Sequence, residues 1–152
     1  MCNDLFRKSE CTEYCDNRRT IVVKDSGNSQ EYRVTNSSKK EFCKIRIDGC
    51  LIIEGEKCDY LILDCQDKLA FFVELKGHDL KKALTQIDSS ISRLKDEIQD
   101  FKIYGRVVLN RTPTPNINSS IEIKLKKRIK QHNGEDNREF LKYMSQVLQE
   151  SI

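Results

Sequence analysis

Lys57–Gln86 reads KCDYLILDCQDKLAFFVELKGHDLKKALTQ, and its two apolar runs carry charged groups that burial should exclude. Asp59 stands at the head of the first run. Glu74 and Lys76 sit inside the second, Leu69-Ala70-Phe71-Phe72-Val73-Glu74-Leu75-Lys76. Side chains alternate faces along a strand, so Glu74 and Lys76 share one face while Val73 and Leu75 take the other. A carboxylate and an ammonium at the end of a buried strand are costly unless something uses them. The Gln66-Asp67-Lys68 link is short enough to close a hairpin, which sets Asp59 opposite Glu74 or one pair beyond it. Cross-strand neighbours lie about 4.5–5.5 Å apart. Two carboxylates at that separation repel unless a cation sits between them, and a hard divalent ion accepts such oxygen ligands readily. Lys76, one pleat along, is placed to orient or activate a water and to offset charge building on a phosphate.

This constellation resembles the PD-(D/E)xK nuclease superfamily. The matching residues are Cys58-Asp59, with Cys where the family has Pro, and Glu74-Leu75-Lys76, with fourteen residues between the two acids. The resemblance covers about residues 41–110. It implies an α/β, restriction-endonuclease-like domain with a Holliday-junction-resolvase-like core. It implies Mg2+, with Mn2+ as a substitute, held by Asp59, Glu74 and the backbone carbonyl of Leu75. Lys76 then assists the attacking water, and Gln86 on the following helix joins it as a catalytic residue. Many members add an upstream acid; Glu41 is the weak preference here over Asp48 and Glu54. The branch that follows this Gln with a Tyr is not supported, because Ile87–Ile91 contains none. The D…ExK pattern alone is unspecific. Its weight comes from context: two apolar strands, a short hairpin, and a helix after a Gly. The competing reading is an edge strand with an ordinary Glu/Lys pair, which Phe71, Phe72, Val73 and Leu75 argue against.

Working outward, Asp79 is a good N-cap. Leu80, Leu84, Ile87, Ile91, Leu94, Ile98 and Phe101 then recur at the spacing of an amphipathic helix of about five turns. Packing on the sheet is favoured over a coiled coil. Ile103–Leu109 reads as a strand that returns parallel through a βαβ crossover. Upstream, Ile21–Val23 and Gln30–Thr35 form a hairpin about Asp25–Ser29, and Phe42–Ile53 alternates as a further strand with a turn at Asp48-Gly49. Residues 1–20 suggest a short helix or loose arm. Downstream, Asn110–Ser120 is a loop holding Pro113 and Pro115. Residues 120–132 predict a basic helix stopped by Asn133-Gly134, and Phe140, Met144, Val147, Leu148 and Ser151 fit a last helix. The expectation is one domain over residues 1–152: a single mixed sheet with flanking helices, an N-terminal arm and hairpin over 1–40, and a helical extension over 111–152.

At 152 residues, with 38% hydrophobic and 34% charged, the chain can bury a core. Its net charge of +3 neither demands nor excludes nucleic acid. Lys81 and Lys82 near the site, and Lys124, Lys127 and Arg128 on the basic helix, are the candidate phosphate contacts. His78 is read as a loop residue and Asp64 as hairpin surface. The seven cysteines are odd in number, no signal segment precedes them, and Cys11-x3-Cys15 lacks a second pair of ligands nearby. Reduced, largely buried thiols in a cytoplasmic protein are therefore expected, and no run approaches the length of a membrane span. The function expected is a Mg2+-dependent endonuclease acting on DNA, with RNA not excluded, relying on a homodimer or a protein partner for specificity. The alternatives are an inactive nuclease fold that binds nucleic acid or protein, and a small coiled-coil interaction protein.

Overall fold

Strand β6 (Leu69–Lys76) lies inside a six-stranded sheet, and its neighbours on both sides come from the segments flanking it in sequence. The computed structural model describes residues 2, 6, 9–24, 29–76, 79–111 and 119–152, Lys76 by its backbone alone. β5 (Tyr60–Asp64) pairs antiparallel with β6 through the Gln66–Lys68 turn, where Lys68 takes φ 59. β7 (Lys102–Leu109) pairs parallel with β6 along its whole length, from Leu69↔Lys102 to Lys76↔Leu109. β1 (Thr12–Asp16), β4 (Phe42–Arg46) and β8 (Leu141–Ser145) complete the order β1-β4-β5-β6-β7-β8. A second sheet holds β2 (Thr20–Lys24), β3 (Glu31–Thr35) and β9 (Val147–Ser151) in the order β2-β3-β9.

Helix α1 (Leu80–Leu94) links β6 to β7 as expected. Asp79 caps it, accepting from the Lys82 N–H at 2.9 Å. Leu84, Ile87 and Ile91 are buried against the sheet, so the apolar stripe belongs to the core rather than to a coiled coil. The helix ends at Leu94, not Phe101. Residues 95–100 are turns closed by i→i+3 bonds such as Phe101 N–H to the Ile98 carbonyl, 3.0 Å. This tighter winding keeps Ile98 and Phe101, three residues apart, on the core side while the chain reverses into β7. Helix α2 (Ser120–Asn133) packs on α1 and stops at Gly134, whose φ of 72 suits glycine.

The alternation of β6 divides the interior in two. Ala70 and Phe72 join Leu84, Ile87, Ile91, Leu125 and Ile129 under the helices. Phe71, Val73 and Leu75 join Ile21, Val23, Tyr32, Val34 and Leu148 under the small sheet. The single-sheet expectation is thus corrected to two sheets. Residues 12–16 form an edge strand rather than a helix or loose arm. The expected last helix is two strands, with Gln146 at φ 66 between them. Leu148 is buried and Glu150 partly so while Val147 and Gln149 are exposed, a period of two. β9 needs its parallel partner β3, more than a hundred residues away in sequence, to satisfy its backbone, so no local pattern announces it.

The reduced-thiol expectation is also corrected. Cys2 is joined to Cys65, Cys11 to Cys50 and Cys15 to Cys43, and Cys58 is the buried free thiol. No helix among the described residues is long and apolar enough to cross a membrane.

Candidate functional site

The β5–β6 pairing ends at Tyr60↔Val73, and Asp59 stands one residue before β5. The Asp59 N–H donates to the Val73 carbonyl at 3.1 Å, and the Leu75 N–H donates to Asp59 Oδ2 at 2.9 Å. The Asp59 carboxylate is therefore held over β6 by a charge-assisted bond. Glu74 shares its face of β6 with Ala70 and Phe72, and Asp59 shares its face of β5 with Leu61 and Leu63, all of the cluster under the helices. Glu74 is 2% exposed; Asp59 is half-buried. Val107 stands beside Glu74 on the other side, in the β7 register.

The next element is pinned to this spot by a bond that the sequence did not announce. The Cys58 N–H donates to Ser90 Oγ at 2.8 Å, and the Ser90 hydroxyl donates to the Gln86 carbonyl at 2.9 Å. Gln86 lies one turn back on the same face of α1. Its Oε1 is buried without a hydrogen-bond partner among the described residues. Burial pushes the Cys58 thiol well above its usual range; the Ser90 contact opposes this, and the Glu74 and Asp59 carboxylates add to the rise. Two carboxylates, one orphaned amide oxygen and a neutral thiol thus gather where β5 begins. Ser90→Ala, which leaves the buried Cys58 N–H without an acceptor, is expected to cost about 1–3 kcal/mol in urea unfolding.

Lys76 continues the β6–β7 pairing opposite Leu109 by its backbone; its side chain, Gly77 and His78 lie outside the described residues. Glu41 is not brought to this site. The Cys65 N–H donates to the Glu41 carbonyl, which puts Glu41 at the far end of β5 from Asp59, among Cys2, Cys43 and Cys65. Asp64 is no surface residue. It is fully buried, accepts from the Gln66 and Asp67 N–H groups at 3.1 and 3.0 Å, and faces Lys40 at 3.7 Å, so it caps the hairpin.

Lys81 and Lys82 are exposed on the first turn of α1. On α2, Arg128 binds Asp88 at 2.7 Å and Lys124 reaches it at 3.6 Å, whereas Lys127 is exposed. Asp88 thus draws two of the expected phosphate contacts into the α1–α2 contact. Two surface concavities lie between α2 and β8, one lined by Ile129, Arg138 and Phe140, the other by Glu122, Lys142 and Met144. Neither includes Asp59 or Glu74. No family model, no curated protein and no solved structure matches this chain.

Proposed function

We propose that this protein is a Mg2+-dependent nuclease of the PD-(D/E)xK type that hydrolyses DNA phosphodiester bonds, with Mn2+ able to replace Mg2+. The observation that carries the reading is the Asp59 carboxylate held by the Leu75 N–H, next along β6 from the deeply buried Glu74. A fold keeps two carboxylates together in such a place when a cation offsets their repulsion. The donor set is all oxygen, as a hard divalent ion prefers: the Asp59 and Glu74 carboxylates and the Leu75 carbonyl. When bound, the ion supplies Lewis-acid polarisation of a phosphoryl oxygen and a water of lowered pKa.

The remaining work falls to the chain. The Leu75 N–H fixes the Asp59 carboxylate in one orientation. Lys76 positions the attacking water and helps remove its proton. Gln86 Oε1, without a partner among the described residues, accepts from that water. Lys81 and Lys82, exposed one turn beyond the end of β6, contact flanking phosphates and give the salt-dependent part of affinity. A second copy of the chain or a protein partner supplies substrate selection.

The test is incubation of plasmid and single-stranded DNA with the folded protein and Mg2+. Wild type is expected to cleave with Mg2+ or Mn2+ and to stop on chelation. Lys76→Ala is expected to bind metal normally and to lose on the order of 10²–10⁴ in rate, the scale of proton-transfer assistance. A folded, metal-binding wild type that cleaves neither DNA would overturn the proposal.

A further inference from the structure

Cysteines from four separate segments lie at the end of the main sheet away from Asp59. Cys2 comes from the N-terminal arm, Cys15 from β1, Cys43 from β4, and Cys65 from the turn after β5. The two disulfides they form are in contact: Cys43 Sγ lies 3.7 Å from Cys65 Sγ. One sulfur each of Cys2, Cys43 and Cys65 and a carboxylate oxygen of Glu41 all fall within 4.8 Å of one another. Cys2 is 4% exposed, and Cys43 and Cys65 are fully buried. The third disulfide, Cys11–Cys50, stands apart from this group.

We propose that in the reduced protein this cluster is a structural Zn2+ site, with the thiolates of Cys2, Cys43 and Cys65 and the Glu41 carboxylate as ligands. Independent staples have no need to touch, whereas three sulfurs and a carboxylate oxygen meeting at one point is what a tetrahedral ion requires. Zn–S bonds of about 2.3 Å give a tetrahedral S···S edge of about 3.8 Å, which the Cys43–Cys65 separation already matches. The surroundings fit a closed structural site: Cys2, Cys43 and Cys65 are buried and belong to the cluster under the helices, and Cys2 is tied to the turn after β5 through Cys65. The conversion balances as follows. A thiol reductant gives two electrons and two protons to each disulfide, forming four thiols and oxidised reductant. Zn2+ then displaces the thiol protons of Cys2, Cys43 and Cys65, the Glu41 carboxylate completes the set, and the Cys15 thiol keeps its proton. The oxidised and reduced chains thereby close the same arm-to-sheet junction by two different bonds. This site is independent of the carboxylate pair at the other end of β5.

The test is metal analysis of the full chain purified under a thiol reductant with Zn2+ supplied, with Co2+ replacing Zn2+ in a parallel sample. The expected result is one Zn2+ per chain, and for Co2+ the sulfur charge-transfer and d–d bands of tetrahedral thiolate coordination. Cys11→Ser and Cys50→Ser are expected to keep the metal and Cys43→Ser to lose it. Should Cys43→Ser fail to fold, the Co2+ spectrum of wild type and its chelator-induced loss of melting temperature decide alone. A folded, reduced wild type without Zn2+ and without the thiolate–Co2+ bands overturns the proposal. So does a Cys43→Ser chain that binds as much metal as wild type.

Discussion

Arg106→Ala is expected to destabilise the fold by about 3–5 kcal/mol, the cost of breaking a buried ion pair from one side. Arg106 is 2% exposed on β7, and its Nε lies 2.8 Å from Glu150 Oε2 on β9. Its guanidinium donates to the Gly105 carbonyl at 2.9 Å and stacks over Phe71 and Tyr104, at 5.6 and 5.2 Å from the ring centroids. The Glu150 carboxylate also accepts from the Tyr32 hydroxyl at 2.5 Å and from Lys142 at 3.3 Å. One guanidinium and one carboxylate therefore join β7 and β8 of the large sheet to β3 and β9 of the small one. Alanine at 106 leaves Glu150 charged, largely buried and short of its main donor. Replacing both partners with apolar groups of similar volume, Arg106→Met with Glu150→Leu, is expected to recover most of the loss, because no uncompensated charge then remains. Urea unfolding followed by circular dichroism measures all three. A single variant within about 1 kcal/mol of wild type would show that the contact contributes no more than a surface pair.

The same contact sets an acid limb. Burial raises the Glu150 pKa, but the Arg106 bond, its charge and the Tyr32 and Lys142 contacts outweigh that, so the net shift is below the usual carboxylate value. A depressed folded pKa gives stability that is complete above the unfolded value of about 4.3 and fades as pH falls through the lower folded value. The stability gap between wild type and Glu150→Gln is thus expected to hold from neutral pH down to about 4 and to close below it. A gap that stays constant through this range would assign the effect to packing.

The parts of the fold legible in the sequence are those built from neighbours. The β5–β6 hairpin follows from a three-residue link between apolar runs, and α1 follows from Asp79 and the Leu84–Ile87–Ile91 spacing. The parallel return of β7 follows from a helix placed between strands. The second sheet was illegible for the opposite reason. β9 pairs with β3, and Phe140, Met144, Val147 and Ser151 happen to fall at helical spacing, although Met144 and Val147 are exposed in the fold. The burial of Arg106 left no signal in the sequence, because its partner lies 44 residues on. The cysteine cluster draws on residues separated by 28 and 63 positions, and neither spacing matches a metal-ligand motif. At the candidate site, the short hairpin was enough to bring Asp59 to β6, where the Leu75 N–H holds its carboxylate. Ser90, which ties α1 to Cys58, left no trace because a serine in a helix is ordinary. Glu41 was misplaced because a residue count along β4 does not say which end of the sheet it reaches.

Glu74→Gln is the variant that separates a metal centre from a merely tolerated buried charge. The substitution keeps shape and hydrogen-bonding capacity and removes the charge, so the chain should fold. If Glu74 holds the ion, wild type gains stability from metal: about 2.7 kcal/mol at a hundredfold excess over Kd. Glu74→Gln is expected to lose that gain and, with it, cleavage by on the order of 10²–10³, the scale on which one group stabilising reaction-centre charge counts. Asp59→Asn should move in the same direction but differ in one respect. The Leu75 N–H keeps an oxygen to donate to, yet the bond is no longer charge-assisted, so the metal-free protein also weakens slightly. Thermal melts with and without Mn2+, run beside the plasmid assay, read both quantities on the same samples. A Glu74→Gln chain that keeps the metal-induced shift and the cleavage rate would move the ion away from β6. A chain that keeps the shift and loses only cleavage would leave Glu74 acting on substrate rather than on metal. Joint loss is the outcome the proposed metal site predicts, because Glu74 is almost wholly enclosed, next along β6 from the Leu75 N–H that holds Asp59.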